Sequence, residues 1–314
     1  MPTRGLRLIA LLLALAAAVS GCASFRDPRL EIRGPITGVE PQDLIDLLTQ
    51  RRRAAPTLRG SSRIRITMRT TEGDNRFGTN QAVVLRPPGS FRFDALSAFG
   101  VSYAVASDGQ KIAIFVPNEG RVYRGLASAH AIAAATGVHA SPDEIVAALL
   151  GDPPIDPADL ESAWTSRPGT RPMSGPRASE PWPEIVLHAA SRSRPGETVA
   201  IGFARPGSGD EVVPVRFERH QRDGQVDLRT LFDDFDESGP RLLPRRISFI
   251  TPEATAELEY GSIEIDIEVK PAAFAIPTPR GMEEVGLPPL TVVPGPQAPA
   301  TNRHDAGESL IGAR

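Results

Sequence analysis

Cysteine is nearly absent from this chain of 314 residues, which contains a single one, Cys22. One thiol excludes an intrachain disulfide framework, an iron–sulfur cluster and a thiolate-rich zinc site. Histidine does not compensate, since the five His residues form no HxH or HExxH ligand pair. We therefore expect neither a metal site nor a cofactor.

Aromatic residues are scarce at 5%, whereas 31 Pro and 28 Gly are distributed along the chain. This composition argues against a protein built mainly of long helices. Neither sign of charge dominates, because the formal net charge is −3 and the 35 Lys and Arg residues are spread among 38 acids. Without a basic cluster, we expect no nucleic acid among the partners.

The sequence also lacks the short motifs on which common catalytic sites are built. It has no GxSxG or SxxK motif for a nucleophilic serine, no Walker loop, and no GxGxxG after a strand. An acidic run at 233–237 could bind calcium through its carboxylates, but it lacks EF-hand spacing and is more typical of a solvated hairpin end. We assign no catalytic residue and expect that the protein is not an enzyme.

The first 22 residues have the pattern of a secretory signal. Arg4 and Arg7 precede an apolar run from Leu8 to Val19, which is too short to cross a bilayer that needs about 20 helical residues. The run ends in VSGC at 19–22, which resembles the lipobox of bacterial lipoproteins, where the Cys thiol receives a diacylglycerol. We predict a lipoprotein signal peptide over 1–21 and lipidation of Cys22. The alternatives are an uncleaved anchor or a buried free Cys.

Lipidation of Cys22 would fix the protein to a membrane, since two or three acyl chains give stable attachment where one chain binds only marginally. Ala23 and Ser24 follow the Cys. By resemblance to lipoprotein sorting, they are not the Asp that retains lipoproteins in the inner membrane. We therefore expect the protein at the periplasmic face of the outer membrane.

Three irregular stretches set the domain boundaries. We expect residues 22–40 to form the lipidated Cys and a Pro- and Gly-containing tether, and residues 287–314, which lack periodicity, to form a disordered tail. The Pro-rich stretch 152–183 is predicted to be a long inserted loop, with one short helix around Asp159–Trp164. A single domain over 41–286 accounts for the remainder.

Alternation with a period of two dominates that domain. At 62–68, Ile64, Ile66 and Met68 alternate with polar residues, as in a half-buried strand, and Asp108-Gly109 between two apolar runs predicts a hairpin. The clearest alternation is at 263–269, where apolar residues alternate with acids. About eleven to thirteen strands joined by tight turns predict one large antiparallel sheet, which should curl or close.

Helices are few. Pro41 begins a helix that ends in Arg51, Arg52 and Arg53, where basic side chains suit the negative end of the helix dipole. Ser141-Pro142-Asp143-Glu144 is a capping box that starts a second helix, and the Ala-rich stretch 128–135 predicts a third. Helices over the open side of a curled sheet would enclose an apolar volume, which either holds a ligand or is filled by helix side chains.

Several segments in the right order resemble the LolB-like outer-membrane lipoproteins of the LolA/LolB superfamily, including related lipoproteins of unassigned role. They span roughly residues 44–284. The inserted stretch 152–183 and the tail 287–314 are not typical of the family. The segments are Phe91–Gly100, Ser107–Gly109, Val122–Gly125, Ala147–Pro153 and Leu243–Ile247.

The resemblance implies a mainly β fold, in which a curled antiparallel sheet forms an unclosed β-barrel covered by a helical lid. It implies that the apolar cavity receives acyl chains and that a loop residue before a Gly, here Phe99 with its neighbour Leu96, contacts the membrane. The alternative for Phe99 is a position tucked under the lid. The cavity candidates are the apolar sides of the strands: Ile64, Ile66, Phe91, Phe93, Tyr103, Val105, Ile112 and Ile114.

The resulting hypothesis is a non-enzymatic outer-membrane lipoprotein that binds acyl chains and acts in lipoprotein or lipid transfer. Its expected partners are the membrane through acylated Cys22, the acyl chains of lipoproteins or lipids, and a periplasmic carrier protein, and we expect a monomer. One alternative is an envelope structural or assembly lipoprotein that uses the same fold, with a filled core, as a protein-binding platform. A lipid-cleaving hydrolase has the least support, because no nucleophile–base pair can be named.

Overall fold

The computed structural model describes residues 36–287 except 72, 99, 137, 170–178 and 208. Cys22, Phe99 and the tail after residue 287 therefore lie outside the described residues. Within them are the α-helices α1 Pro41–Arg53, α2 Ala129–Thr136 and α3 Pro142–Leu149. The strands of the N-terminal half are β1 Leu58–Thr70, β2 Gly73–Arg86, β3 Ser90–Ser97, β4 Gly100–Asp108, β5 Lys111–Val116 and β6 Arg121–Leu126. Those that follow are β7 Leu160–Ser166, β8 Ile185–Ser191, β9 Thr198–Ala204, β10 Val213–His220, β11 Val226–Asp236, β12 Leu243–Ile250, β13 Ala254–Ile265 and β14 Glu283–Gly286.

All fourteen strands belong to one sheet, in the order β14-β6-β5-β4-β3-β2-β1-β13-β12-β11-β10-β9-β8-β7. Two antiparallel meanders, β1–β6 and β7–β13, are joined where β1 pairs with β13. The outermost strands, β14 and β7, do not pair with each other, so the sheet is not closed into a barrel. The predicted fold, a curled antiparallel sheet forming an unclosed barrel, is confirmed.

Local sequence signals account for the turns and helix starts. The carboxylate of Asp108 accepts the backbone N–H groups of Gln110 and Lys111 at 2.9 and 2.7 Å, which lowers the pKa of Asp108, while Gly109 adopts a φ of +94° that favours glycine. In α3, the Ser141 hydroxyl accepts the N–H of Glu144 and the Glu144 carboxylate accepts the N–H of Ser141. The hairpin and the capping box predicted from the sequence are both confirmed.

The helices cover the concave face of the sheet and bury their apolar sides there. Leu44 and Leu48 of α1 and Ile145 of α3 join one continuous core with side chains from both halves of the sheet. Tyr260 of β13 is buried beneath α3 and donates a hydrogen bond from its hydroxyl to the carbonyl of Leu149 at 3.0 Å. This burial raises the pKa of Tyr260. The lid is therefore bonded to the sheet as well as packed on it.

After β13 the chain crosses the opposite, convex face of the N-terminal half as a strap, residues 266–287. Phe274 of the strap is buried under the guanidinium of Arg86, 4.7 Å from the ring centroid. The Arg124 guanidinium donates to the carbonyl of Ile276 at 2.6 Å. The strap ends as β14, which pairs with β6. This is the one parallel pair of strands in the described sheet.

Two sequence predictions are wrong. The stretch around Asp159–Trp164 is not a helix, because β7 forms there and pairs with β8 through a bulge, with Ser162 at a φ of +49°. The alternation at 263–269 does not continue as a strand, because β13 ends at Ile265 and Asp266 takes a φ of +55° as the chain turns toward the convex face. In both places tertiary pairing outweighs the local pattern.

Candidate functional site

The inner cavity candidates lie deep in the concave face. Phe91, Tyr103, Val105, Ile112 and Ile114 are each at most 8% exposed and belong to the continuous core. The deep interior is therefore occupied by side chains in this conformation.

The outer candidates are more accessible. Ile64 and Ile66 on β1 and Phe93 on β3 are only half-buried. Ile66 pairs with Phe77 of β2, and Met68, two residues beyond it, is 42% exposed. Because alternate residues of a strand share a face, Ile64, Ile66 and Met68 lie on the same face as buried Leu58.

We call Ile64, Ile66, Met68 and Phe77 the apolar strip. It leads from the packed core toward solvent, since Ile66 packs against the core while Met68 is exposed. A run of half-exposed apolar side chains on a concave surface is suited to contact an extended hydrocarbon chain. The sequence pattern identified Ile64 and Ile66, but Phe77 was missed because the first part of its strand, GDNRFGTN, has no apolar alternation.

The β3–β4 hairpin presents a second apolar surface. Leu96 and Val101 pair across this hairpin and are 47% and 39% exposed. Phe99, predicted to contact the membrane, lies outside the described residues, so the structure does not decide between a protruding and a tucked position. Val101 was not singled out from the sequence, although it begins an apolar alternation with Tyr103 and Val105.

A buried charged cluster fastens the lid to the sheet, and it was also missed from the sequence. Asp152, which follows α3, is 2% exposed and accepts hydrogen bonds from Arg51 of α1 at 3.0 Å and from Arg241 at 2.7 Å. Arg241 also donates to the backbone carbonyl of Arg51 at 2.7 Å. Burial lowers the pKa of Arg51, and the charge of Asp152 counteracts part of this effect. No local pattern links these residues, because Arg51 lies 101 positions and Arg241 lies 89 positions from Asp152 in the sequence.

A polar depression, the rim pocket, lies beside the start of β13 and has a volume of about 400 Å³. Its walls come from the α2–α3 connection, the β8–β9 and β10–β11 turns and the β12–β13 turn. The lining residues are His139, Arg194, Glu197, Arg219, Gln221, Asp227, Leu228, Thr251, Pro252 and Glu253.

Other predicted or conspicuous groups have structural partners. Within the acidic run, Asp236 accepts from Ser238 and Arg245, which lowers its pKa to about 2, and Asp233 pairs with Arg246. Among the described residues, no three His, Cys, Asp or Glu side chains lie close enough to hold a metal ion. None of the described helices combines the length and the hydropathy needed to cross a membrane.

Comparison with known proteins gives likeness only at the level of structure. No family model matches the chain, and no curated protein matches it significantly. A structure of a DUF1329 family protein from Desulfovibrio piger is similar with a TM-score of 0.50 and 10% identity, covering 75% of this chain and 95% of that chain.

Two further structures are similar with lower scores. One is a LolA superfamily protein from Nitrosomonas europaea, with a TM-score of 0.47 and 14% identity over 76% of this chain and 98% of that chain. The other is a putative outer membrane lipoprotein-sorting protein domain from Vibrio parahaemolyticus, with a TM-score of 0.46 and 8% identity over 73% and 94%. At these identities the likeness concerns the fold alone. The architecture that the sequence predicted, an open antiparallel sheet with helices over one face, is the architecture of this chain.

Proposed function

We propose that this protein is a lipid-anchored, non-enzymatic component of the bacterial envelope that binds acyl chains on the concave face of its half-barrel. In this proposal it receives the chains of lipoproteins or lipids from a periplasmic carrier and passes them to the outer membrane. Cys22 would carry the anchor, and the β3–β4 hairpin with Leu96, Val101 and Phe99 would contact the bilayer.

The observation that carries the proposal is the apolar strip. A soluble domain normally covers apolar side chains on a concave face, yet Met68 is exposed and Ile64, Ile66 and Phe77 are half-buried there. The strip is continuous with the core, so an acyl chain that starts on Met68 would next meet Ile66 and then the side chains under the lid. Each buried CH₂ group would contribute about 0.8 kcal/mol to binding.

Full entry of a chain requires the lid to move, because the inner candidates are packed. Besides the cluster at Asp152, α3 is held by the hydrogen bond from Tyr260 to Leu149 and by the ion pair between Arg194 and Glu144 at 2.7 Å, neither of which is a hydrogen bond between strands. We therefore expect binding to begin on the apolar strip and to displace α3.

The test uses the chain from residue 22 onward carrying Cys22→Ala, so that bound lipid is not confused with the anchor. Native mass spectrometry after incubation with a short-chain lysolipid should detect a 1:1 complex. Ile66→Asp should weaken binding about tenfold or more, because a carboxylate would then lie in the path of the hydrocarbon. Thr67→Asp, on the same strand but the opposite face, is the matched control and should bind as the parent does. Absence of any lipid complex would overturn the proposal.

The exposed edge strand β7 favours a second function, a protein-binding platform in envelope assembly. The interior is filled, and strand β7 is an open edge whose Trp164 is 55% exposed and stacks on His188 with ring centroids 4.0 Å apart. An open edge with an exposed aromatic side chain can pair with a strand of another protein. If the platform is the function, the parent protein should capture an envelope protein and bind no lipid. Trp164→Ala should then abolish that capture.

A further inference from the structure

Among the charged groups of the rim pocket that have no ion-pair partner in the described structure, acids outnumber bases. Arg219, which is 5% exposed, donates to the Asp227 carboxylate at 3.0 Å, and Arg194 is paired with Glu144 outside the pocket lining. Glu197 has no such cation, and its Oε2 is buried without a hydrogen-bond partner in the described structure. A buried carboxylate oxygen without a donor is costly, so this atom is suited to receive an N–H group from a ligand.

A second acid adds to this imbalance. Glu253 lines the same pocket, its side chain is exposed, and it forms no ion pair within the described residues. The pocket thus offers two carboxylates, Glu197 and Glu253, to a positive group. Arg219 is paired with Asp227 through Nε and Nη2, but its Nη1 has no hydrogen bond among the described residues and can donate to an anionic group. The lining can therefore bind a cationic and an anionic group of one ligand at the same time.

The rim pocket adjoins the apolar strip. Ala254, next to Glu253, pairs with Met68, the exposed end of the strip. The backbone N–H of Arg69 donates to the carbonyl of Glu253 at 2.7 Å, which fixes the pocket wall beside the strip. Leu228, at the base of the pocket, belongs to the apolar core. A polar head and an apolar chain of one molecule could occupy the two surfaces together.

We propose that the rim pocket binds the head group of the lipid whose acyl chain lies on the apolar strip, and that this head group is a phosphoethanolamine. Its primary ammonium donates to Glu197 and Glu253, and its phosphate accepts from Arg219. The pocket volume of about 400 Å³ lies within the range of small-molecule sites. This inference rests on the proposed function and specifies its substrate class as a phospholipid with a primary ammonium.

The test compares lysophosphatidylethanolamine with lysophosphatidylglycerol of the same chain length, below their micellar concentrations, by isothermal titration calorimetry on the Cys22→Ala chain. The phosphate and the acyl chain are common to both lipids, so a difference in Kd reports the ammonium. We expect the ethanolamine lipid to bind about tenfold more tightly, as one charge-assisted hydrogen bond predicts. Glu197→Gln should remove this preference.

Two results separate the failure of this inference from that of the proposed function. If both lipids bind with equal Kd, or if Glu197→Gln keeps the preference, the inference is wrong and acyl binding stands. If neither lipid binds, the proposed function fails as well. Glu268→Gln, which removes an exposed acid outside the pocket, should keep both the affinity and the preference. A change of preference in that variant would contradict a specific role for Glu197.

Discussion

Asp152 pairs with both arginines that fasten the lid, Arg51 and Arg241. It accepts hydrogen bonds from two guanidinium groups in a site where it is almost inaccessible to water. Asp152→Asn should lower the free energy of unfolding by about 3 kcal/mol, because two largely buried cations would lose the carboxylate they share and Arg51 would keep only the part-exposed Glu211. Urea unfolding followed by circular dichroism measures this. Glu268→Gln, an exposed acid, is the control, and an equal loss in both variants would contradict the role of the cluster.

The side chain of Glu218 makes the free energy of unfolding depend on pH. Burial alone would raise its pKa, but hydrogen bonds from Arg216 at 2.6 Å and from Arg229 at 2.7 Å outweigh burial, so the pKa lies below its ordinary value. The stabilisation is therefore complete above the unfolded pKa and is lost as the pH falls through the lowered, folded value. Stability should decrease as the pH falls below the ordinary value of 4.5 and continues through the lower pKa of the folded state.

The matching variant is Glu218→Gln. It should reduce the free energy of unfolding at pH 7 by about 1–2 kcal/mol and flatten the decrease at acid pH, because the titrating group is gone. Glu264→Gln removes the acid of a fully exposed ion pair with Arg59 and should cost less than about 1 kcal/mol. An unchanged acid profile in Glu218→Gln would show that other carboxylates set the pH dependence.

At the scale of single elements, the β3–β4 hairpin is the candidate membrane contact. Leu96→Glu should weaken binding of the Cys22→Ala chain to phospholipid vesicles about tenfold, since burial of a Leu contributes about 1.5–3 kcal/mol. The melting temperature should not change, because Leu96 is largely exposed. Gln110→Glu places the same charge on the neighbouring β4–β5 turn and should leave vesicle binding intact. A lower melting temperature for Leu96→Glu would instead indicate a packing role.

Some helices, strands and turns were predicted from their local sequence and others were not. The helix α3 and the turn at Asp108-Gly109 were predicted well, because a capping box and an Asp-Gly turn satisfy backbone groups within a few residues. Strand β7 was not, because its partner β8 lies about twenty residues further along a Pro-rich stretch. Pairing that spans such a distance leaves no periodic signal in the strand itself.

On the scale of the whole molecule, the lid and the strap cover opposite faces of the same sheet. The lid packs on the concave face, while the strap buries Phe274 and Ile276 against the convex side of the N-terminal half. Since the strap covers the convex side of that half, the apolar strip and the β3–β4 hairpin are the surfaces left to contact a ligand or a membrane. The pairing of β1 with β13 places the apolar strip beside the rim pocket, next to the turn that joins β12 to β13.

The sequence by itself determined the mainly β class, the starts of the helices and the apolar faces of the strands, since periods of 2.0 and 3.6 residues are local properties of the chain. Only the tertiary structure decided that the deep interior is filled while Ile64 and Ile66 remain half-exposed. It alone brought Arg51, Asp152 and Arg241 together and placed Glu197 beside the strip. Which distant segments pack on a given face depends on the summed burial of the whole chain, and no local period encodes that sum.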